Sequence, residues 1–219
     1  LQHRGQESAG IATVDGSTMR VHRAMGLVAD VFDADTLEKL KGDRAIGHVR
    51  YSTTGASILK NAQPFTVETR RGSLALAHNG NLVNAEELRN ELEDQGVLFY
   101  TTTDTEIIAH ILARTPGDNM AERFGKVMAK IKGAYSILLL FNDIMLAARD
   151  PQGFRPLILG RSGSSYVFSS EPSAMPPSPS VPRSRNARRD CWVWNSFIGS
   201  MAGLVLHDGF VKVEESVGH

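Results

Sequence analysis

Four positions carry groups that could do chemistry, and each sits in a short polar cluster. Arg50 lies in Gly47-His48-Val49-Arg50-Tyr51-Ser52-Thr53, Asn79 and Gly80 in Ala77-His78-Asn79-Gly80-Asn81-Leu82, and Asp104 in Thr101-Thr102-Thr103-Asp104-Thr105-Glu106. A guanidinium is a permanent cation whose planar fork matches a carboxylate. Asp104 offers a fixed anion. An Asn carboxamide followed by a glycine N–H places two donors side by side, as stabilising a developing oxyanion requires. Each position also has a plain structural reading: a surface arginine after a strand, a helix cap, and a hairpin turn, where Asn-Gly is common. On residue type alone both readings stand.

Other reactive groups are sparse. The one cysteine, Cys191, is far from these clusters, and nothing around it resembles the setting that activates a thiol. His48, His78 and His110 have no close ligand spacing and no cysteine joins them, so they read as structural histidines and no metal site is expected. Glu106 and His110, one helical turn apart, read as a surface or half-buried pair.

Composition bounds what these clusters can belong to. The chain has 219 residues, 42% apolar and 22% charged, enough for one sizeable core or a domain with an appendage. Its 24 basic and 24 acidic residues cancel, so no net field draws nucleic acid or an anionic membrane, and neither partner is expected. A single cysteine excludes an internal disulfide framework and fits a reducing compartment, the cytoplasm. The longest apolar stretch, over 137–148, is broken by Asn142 and Asp143 and is too short to span a bilayer. Leu1-Gln2-His3-Arg4 does not read as a signal peptide.

The elements that must position the clusters follow from periodicity. Runs over 10–14 and 19–22 flank Asp15-Gly16-Ser17 and predict a hairpin at a sheet edge. Val28, Val31, Phe32, Leu37 and Leu40 predict one helix over 28–40. Short apolar runs over 45–49 and 74–78 each lead into a polar cluster, as strand ends at a site do. Helices are predicted over 84–92 and 105–113, the second capped by Thr103 or Asp104 with Ile107, Ile108, Ile111 and Leu112 facing a core. A further amphipathic helix over 120–132 precedes a hairpin-like pair, 134–141 and 144–149, and a last strand covers 166–169. Beyond Glu171 the character changes. Prolines at 172, 176, 177, 179 and 182 alternate with serines and arginines, with little to bury, and the segment is expected to lack order.

Six segments in sequence resemble a known family. Gln2-His3-Arg4-Gly5-Gln6-Glu7-Ser8-Ala9-Gly10-Ile11, Gly26-Leu27-Val28-Ala29-Asp30-Val31-Phe32, the Arg50, Asn79 and Asp104 clusters, and Arg149-Asp150-Pro151-Gln152-Gly153-Phe154-Arg155-Pro156-Leu157 are similar to the glutaminase domain of the amidophosphoribosyltransferases. Gln6-Glu7-Ser8-Ala9-Gly10 and Val49-Arg50-Tyr51-Ser52-Thr53 separate it from glucosamine-6-phosphate synthase, of the same amidotransferase class. The likeness covers 1–171, a class II glutamine amidotransferase domain, leaving 172–219 as a divergent tail of the kind a shifted reading frame would produce.

The resemblance implies roles. Arg50 and Asp104 would hold the carboxylate and ammonium of glutamine, and Asn79 and Gly80 would form the oxyanion hole. The family's nucleophile, a cysteine exposed as the first mature residue, has no counterpart, nor does the first strand. The chain is therefore expected to begin part-way into the domain and to be inactive alone. The fold implied is α/β, a four-layer αββα sandwich of the N-terminal-nucleophile hydrolase type. The parent activity implied is formation of 5-phosphoribosylamine from glutamine and phosphoribosyl pyrophosphate, the first step of de novo purine synthesis, by a homo-oligomer using Mg²⁺ with the sugar donor. No cofactor is expected in this chain; some relatives carry an iron–sulfur cluster, which one cysteine could not hold. The alternative is a non-catalytic module that binds glutamine or a partner.

Overall fold

The computed structural model describes residues 5–51, 56–142, 144–162, 165–172, 204–207 and 210–213. Strands β1 (Ser8–Asp15) and β2 (Thr18–Met25) form the expected hairpin, turning at Gly16 with φ 59°. Strand β3 (Arg44–Arg50) pairs antiparallel with the other side of β1, from Ser8↔Arg50 to Val14↔Arg44. The order is β2-β1-β3, so only β2 of the hairpin is an edge. The helix expected over 28–40 is instead two: α1 (Val28–Val31) and α2 (Ala34–Lys39). Asp33 explains the break. Its carboxylate accepts from the Thr36 N–H at 2.7 Å and starts a new helix, while Phe32 stays extended with its ring against His22.

A second sheet carries most of the core. Strands β4 (Phe65–Thr69), β5 (Gly72–Leu82), β6 (Gly133–Phe141) and β7 (Ile144–Arg149) lie in that order, all antiparallel. Ala75, Ala77 and Leu140 pack against Ala12, Val14 and Ile46 of the first sheet. On the other face, Leu74, Leu76 and Leu82 pack with helices α3 (Ala85–Asp94), α4 (Asp104–Arg114) and α5 (Met120–Lys130), where Ile107, Ile108, Ile111 and Leu112 are buried as expected. Side chains alternate along a strand. Odd positions of β5 therefore face the first sheet and even positions the helices, a parity that decides where the site residues point.

Strands β8 (Ile158–Ser162) and β9 (Ser165–Ser169) form a separate hairpin, of which the sequence reading anticipated only the second strand. Within the expected tail, β10 (Leu204–His207) and β11 (Phe210–Val213) pair antiparallel. The rest of 173–219, with Cys191 and the Arg-rich stretch, lies outside the described residues. Among those described, no helix is long and apolar enough to cross a membrane.

Candidate functional site

Asn79 and Gly80 do not form a turn. They lie inside β5, opposite Ser136 and Tyr135, because the strand continues to Leu82. What singles them out is their hydrogen bonding. Antiparallel pairs alternate between bonded and non-bonded, and Tyr135 turns its backbone away from β5. Its carbonyl accepts from Asp150 N–H at 2.9 Å, and its N–H donates to Asp150 Oδ2 at 3.3 Å. Gly80 is thus a non-bonded pair member, whose N–H points to the opposite edge of β5. On that edge β4 has ended. The N–H of His78 is taken by Gln63 Oε1 at 2.6 Å, and that of Leu82 by Asp104 Oδ2 at 3.1 Å. Gly80 presents its N–H between these two.

Any side chain at Gly80 would be strained. The φ of Gly80 is 144°, and a Cβ there would sit 2.0 Å from the Ala134 carbonyl oxygen. Gln63 completes the edge by imitating a strand, since its Nε2 also donates to the His78 carbonyl at 3.2 Å. Its backbone reaches that place over Gly10, where a Cβ would lie 2.2 Å from the Gln63 carbonyl oxygen.

Parity places the remaining groups. Asn79, odd, faces the first sheet. On β3, Ile46 points into the inter-sheet cluster, so His48 and Arg50 share that face. His48 Nε2–H donates to the His78 carbonyl at 3.2 Å, which ties β3 to β5 beside Asn79. Burial pushes the His48 imidazole down to about 4, reinforced by repulsion from His78 and Arg50, with the bond to the His78 carbonyl opposing. His48 is therefore neutral near pH 7. Arg50 is 5% exposed, and its Nη1 donates to Glu7 Oε2 at 3.0 Å and to the Ala56 carbonyl at 3.4 Å. Glu7 fixes the guanidinium as well as neutralising part of its charge.

Asp104 is not a cap. Thr103 is the N-cap of α4 without a side-chain bond, and Asp104 begins the first turn. Its Oδ2 accepts from Leu82 N–H, and its Oδ1 lies 3.2 Å from His78 Nδ1, so the carboxylate brackets Gly80 from the helix side. Burial by itself raises this carboxyl, but the pull of His78 and the bonds from His78 and Leu82 outweigh it and hold it below the usual carboxylate range.

The loop ahead of Asp104 is held from two sides. Asn61 Nδ2 donates to the Ala56 carbonyl at 2.8 Å and to Thr102 Oγ1 at 3.0 Å, linking the Arg50 end to the Asp104 end. Glu106, expected with His110 as a surface or half-buried pair, is buried. Its carboxylate accepts from the N–H groups of Tyr100 and Thr101 and from Thr101 Oγ1, while His110, half-buried, lies 3.6 Å away. Sequence reasoning missed Gln63, Asn61 and the roles of Glu106 and Asp150. Asp150 and Glu106 had a signal, their places in the Arg149 to Leu157 motif and the Asp104 cluster.

Among the described residues no three His, Cys, Asp or Glu side chains come together as a metal site.

Residues 48–177, more than half of the chain, match the glutamine amidotransferase domain family. The chain belongs to that family. The match opens at His48 and runs past Glu171, taking in Arg50, Asn79, Gly80 and Asp104. This glutamine amidotransferase chain is 50% identical over 177 residues to the amidophosphoribosyltransferase of Methanocaldococcus jannaschii and 46% identical over 175 residues to that of Bacillus subtilis, each alignment covering 80% of this chain. It spans 38% and 37% of those two proteins. A solved B. subtilis glutamine phosphoribosylpyrophosphate amidotransferase, complexed with ADP and GMP, superposes with a TM-score of 0.73 at 45% identity over 78% of this chain and 37% of that one. The mixed α/β fold with antiparallel sheets is shared with that structure.

Proposed function

We propose that this chain is the glutamine-holding part of an amidophosphoribosyltransferase, the enzyme that makes 5-phosphoribosylamine from phosphoribosyl pyrophosphate and glutamine at the start of purine synthesis. The observation that carries the reading is the outward N–H of Gly80, set between two amides that already have partners and bracketed by Asp104. In this reading Arg50 meets the α-carboxylate of glutamine and Asp104 its α-ammonium. A thiolate attacking the side-chain amide carbon would convert its carbonyl oxygen to an oxyanion. The Gly80 N–H and the Asn79 carboxamide are the donors for that charge, preorganised by Gln63, Asp150 and β6. Collapse of the intermediate, with a proton delivered to the leaving nitrogen, expels ammonia for transfer to the sugar and leaves a γ-glutamyl thioester that water hydrolyses to glutamate and the free thiol. The 219 residues as they stand are expected to bind glutamine without turnover, because these four groups hold and polarise the amide and none of them attacks it.

The fold reading is finer in the same way. The first sheet, the second sheet and α3 to α5 supply three layers, and α1 and α2 beside the first sheet are consistent with part of a fourth. That is the αββα arrangement of N-terminal-nucleophile hydrolases. The balanced charge and single cysteine fit a cytoplasmic protein.

Isothermal titration of the chain with L-glutamine tests the site. Saturable binding, weakened about 10-fold or more in Arg50→Ala and in Asp104→Ala, is expected from loss of a charge-assisted contact. Binding of neither glutamine nor its analogues by the folded chain would sink the proposal.

A further inference from the structure

His78 is buried on the helix side of β5, its side chain 1% exposed, and its ring meets no ligand in the reading above. Three bonds clamp its peptide: Gln63 takes the N–H, and Gln63 and His48 both donate to the carbonyl. The backbone is thus pinned on the edge where Gly80 follows. The ring is aimed by that clamp. Its Nδ1 lies 3.2 Å from Asp104 Oδ1, and an ionised carboxylate only accepts, so Nδ1 carries the proton. Nε2 is buried and has no hydrogen-bond partner among the described residues.

The consequence falls on Asp104. Each carboxylate oxygen has one fixed donor, His78 on Oδ1 and Leu82 N–H on Oδ2, and each keeps lone-pair capacity for a further donor. With Leu82 alone, the carboxylate could turn about its one anchored oxygen. With both, its plane is set. Only 9% of the Asp104 side chain is exposed, so whatever it meets must approach through a small opening.

We infer that His78 is a positioning residue that fixes the Asp104 carboxylate and thereby sets selectivity for a ligand carrying an α-ammonium group. The inference rests on the glutamine reading above. His78 does not touch the ligand in this account; it acts through Asp104, as second partners of ligating carboxylates do elsewhere.

The test compares two ligands that differ only at the amino group. L-glutamine and glutaramate, the same molecule without its α-amino group, are titrated calorimetrically into the full chain and its His78→Leu and His78→Asn variants. In His78→Leu, glutamine affinity should fall roughly 10-fold, the size expected for one charge-assisted hydrogen bond, with glutaramate affinity unchanged. His78→Asn, whose carboxamide can donate from about the place of Nδ1, should restore most of the discrimination. An unchanged glutamine-to-glutaramate ratio in His78→Leu, or an equal loss for both ligands, overturns the inference and leaves the glutamine site standing. Binding of neither ligand by the unmodified chain overturns the glutamine reading itself. Ring ¹⁵N shifts of the unmodified chain are independent of how any variant folds: a proton on Nδ1 of His78 is expected, and a bare Nδ1 would refute the geometry.

Discussion

Gly80 and His48 show how much of the site lies in single residues. Gly80 combines a φ that side chains rarely adopt with a neighbour 2.0 Å from where a Cβ would be. Gly80→Ala is expected to lower stability by roughly 1–3 kcal/mol from the backbone conformation alone, with the overlap against Ala134 adding to it. Urea denaturation checks this, and a loss of less than about 0.5 kcal/mol would mean that the strand end relaxes freely. His48 makes the site sensitive to acid. Its imidazole is held at about 4 when folded, below an unfolded value near 6.5, so the unfolded chain binds the proton more readily. The stability His48 contributes is complete above about pH 6.5 and is lost as pH falls towards 4. The full shift corresponds to about 3 kcal/mol, an upper figure for a half-buried ring. Between about pH 7 and 4.5, His48→Gln should lose less stability than the unmodified chain, and equal losses in the two would refute the assignment. That the Arg50 and Asp104 clusters lie at element ends was legible from the apolar runs beside them. Gln63 was not, because a carboxamide standing in for a strand is visible only once the strands are placed.

Elements were most legible where one signal ruled. The turn Asp15-Gly16-Ser17 between alternating runs, and the buried stripe of α4, appear in the structure as the residues imply. Competing signals misled. The apolar spacing over 28–40 fits one helix, but Asp33 prefers to cap, and the cap divides it. Asn-Gly favours a turn locally, yet eleven residues of β5 pair through it, the positive φ of Gly80 being absorbed within the ladder. Helix α2 has no buried residue, so its cap supports little beyond itself. Asp33→Ala should therefore remove about 1 kcal/mol of local helix stability while barely moving the global melting temperature. Amide hydrogen exchange reads the difference: faster exchange confined to about 36–40 is expected, and a global loss of protection would show α2 to be coupled to the core.

At the scale of the whole molecule, β5 belongs to both cores. Leu74, Leu76 and Leu82 bind the helical layer to it, Ala75 and Ala77 bind the first sheet, and the site lies at its far end. Damage on either face should therefore be felt as one event. Leu140 of β6 is fully buried between the sheets, and Leu140→Ala should cost about 2–5 kcal/mol by opening a cavity there. Because β5 joins both layers, thermal unfolding of this variant should stay a single transition. Under the proposed function, glutamine binds only the folded state, so 100 times its dissociation constant should return about 2.7 kcal/mol. The gain should be equal in Leu140→Ala and the unmodified chain, because Leu140 lies within the sheet interface and away from the Gly80 edge. Calorimetric scans with and without glutamine measure both quantities. Two separate transitions would mean that the first sheet melts independently of β5. A smaller gain in the variant would mean that packing between the sheets also sets the geometry of the glutamine site.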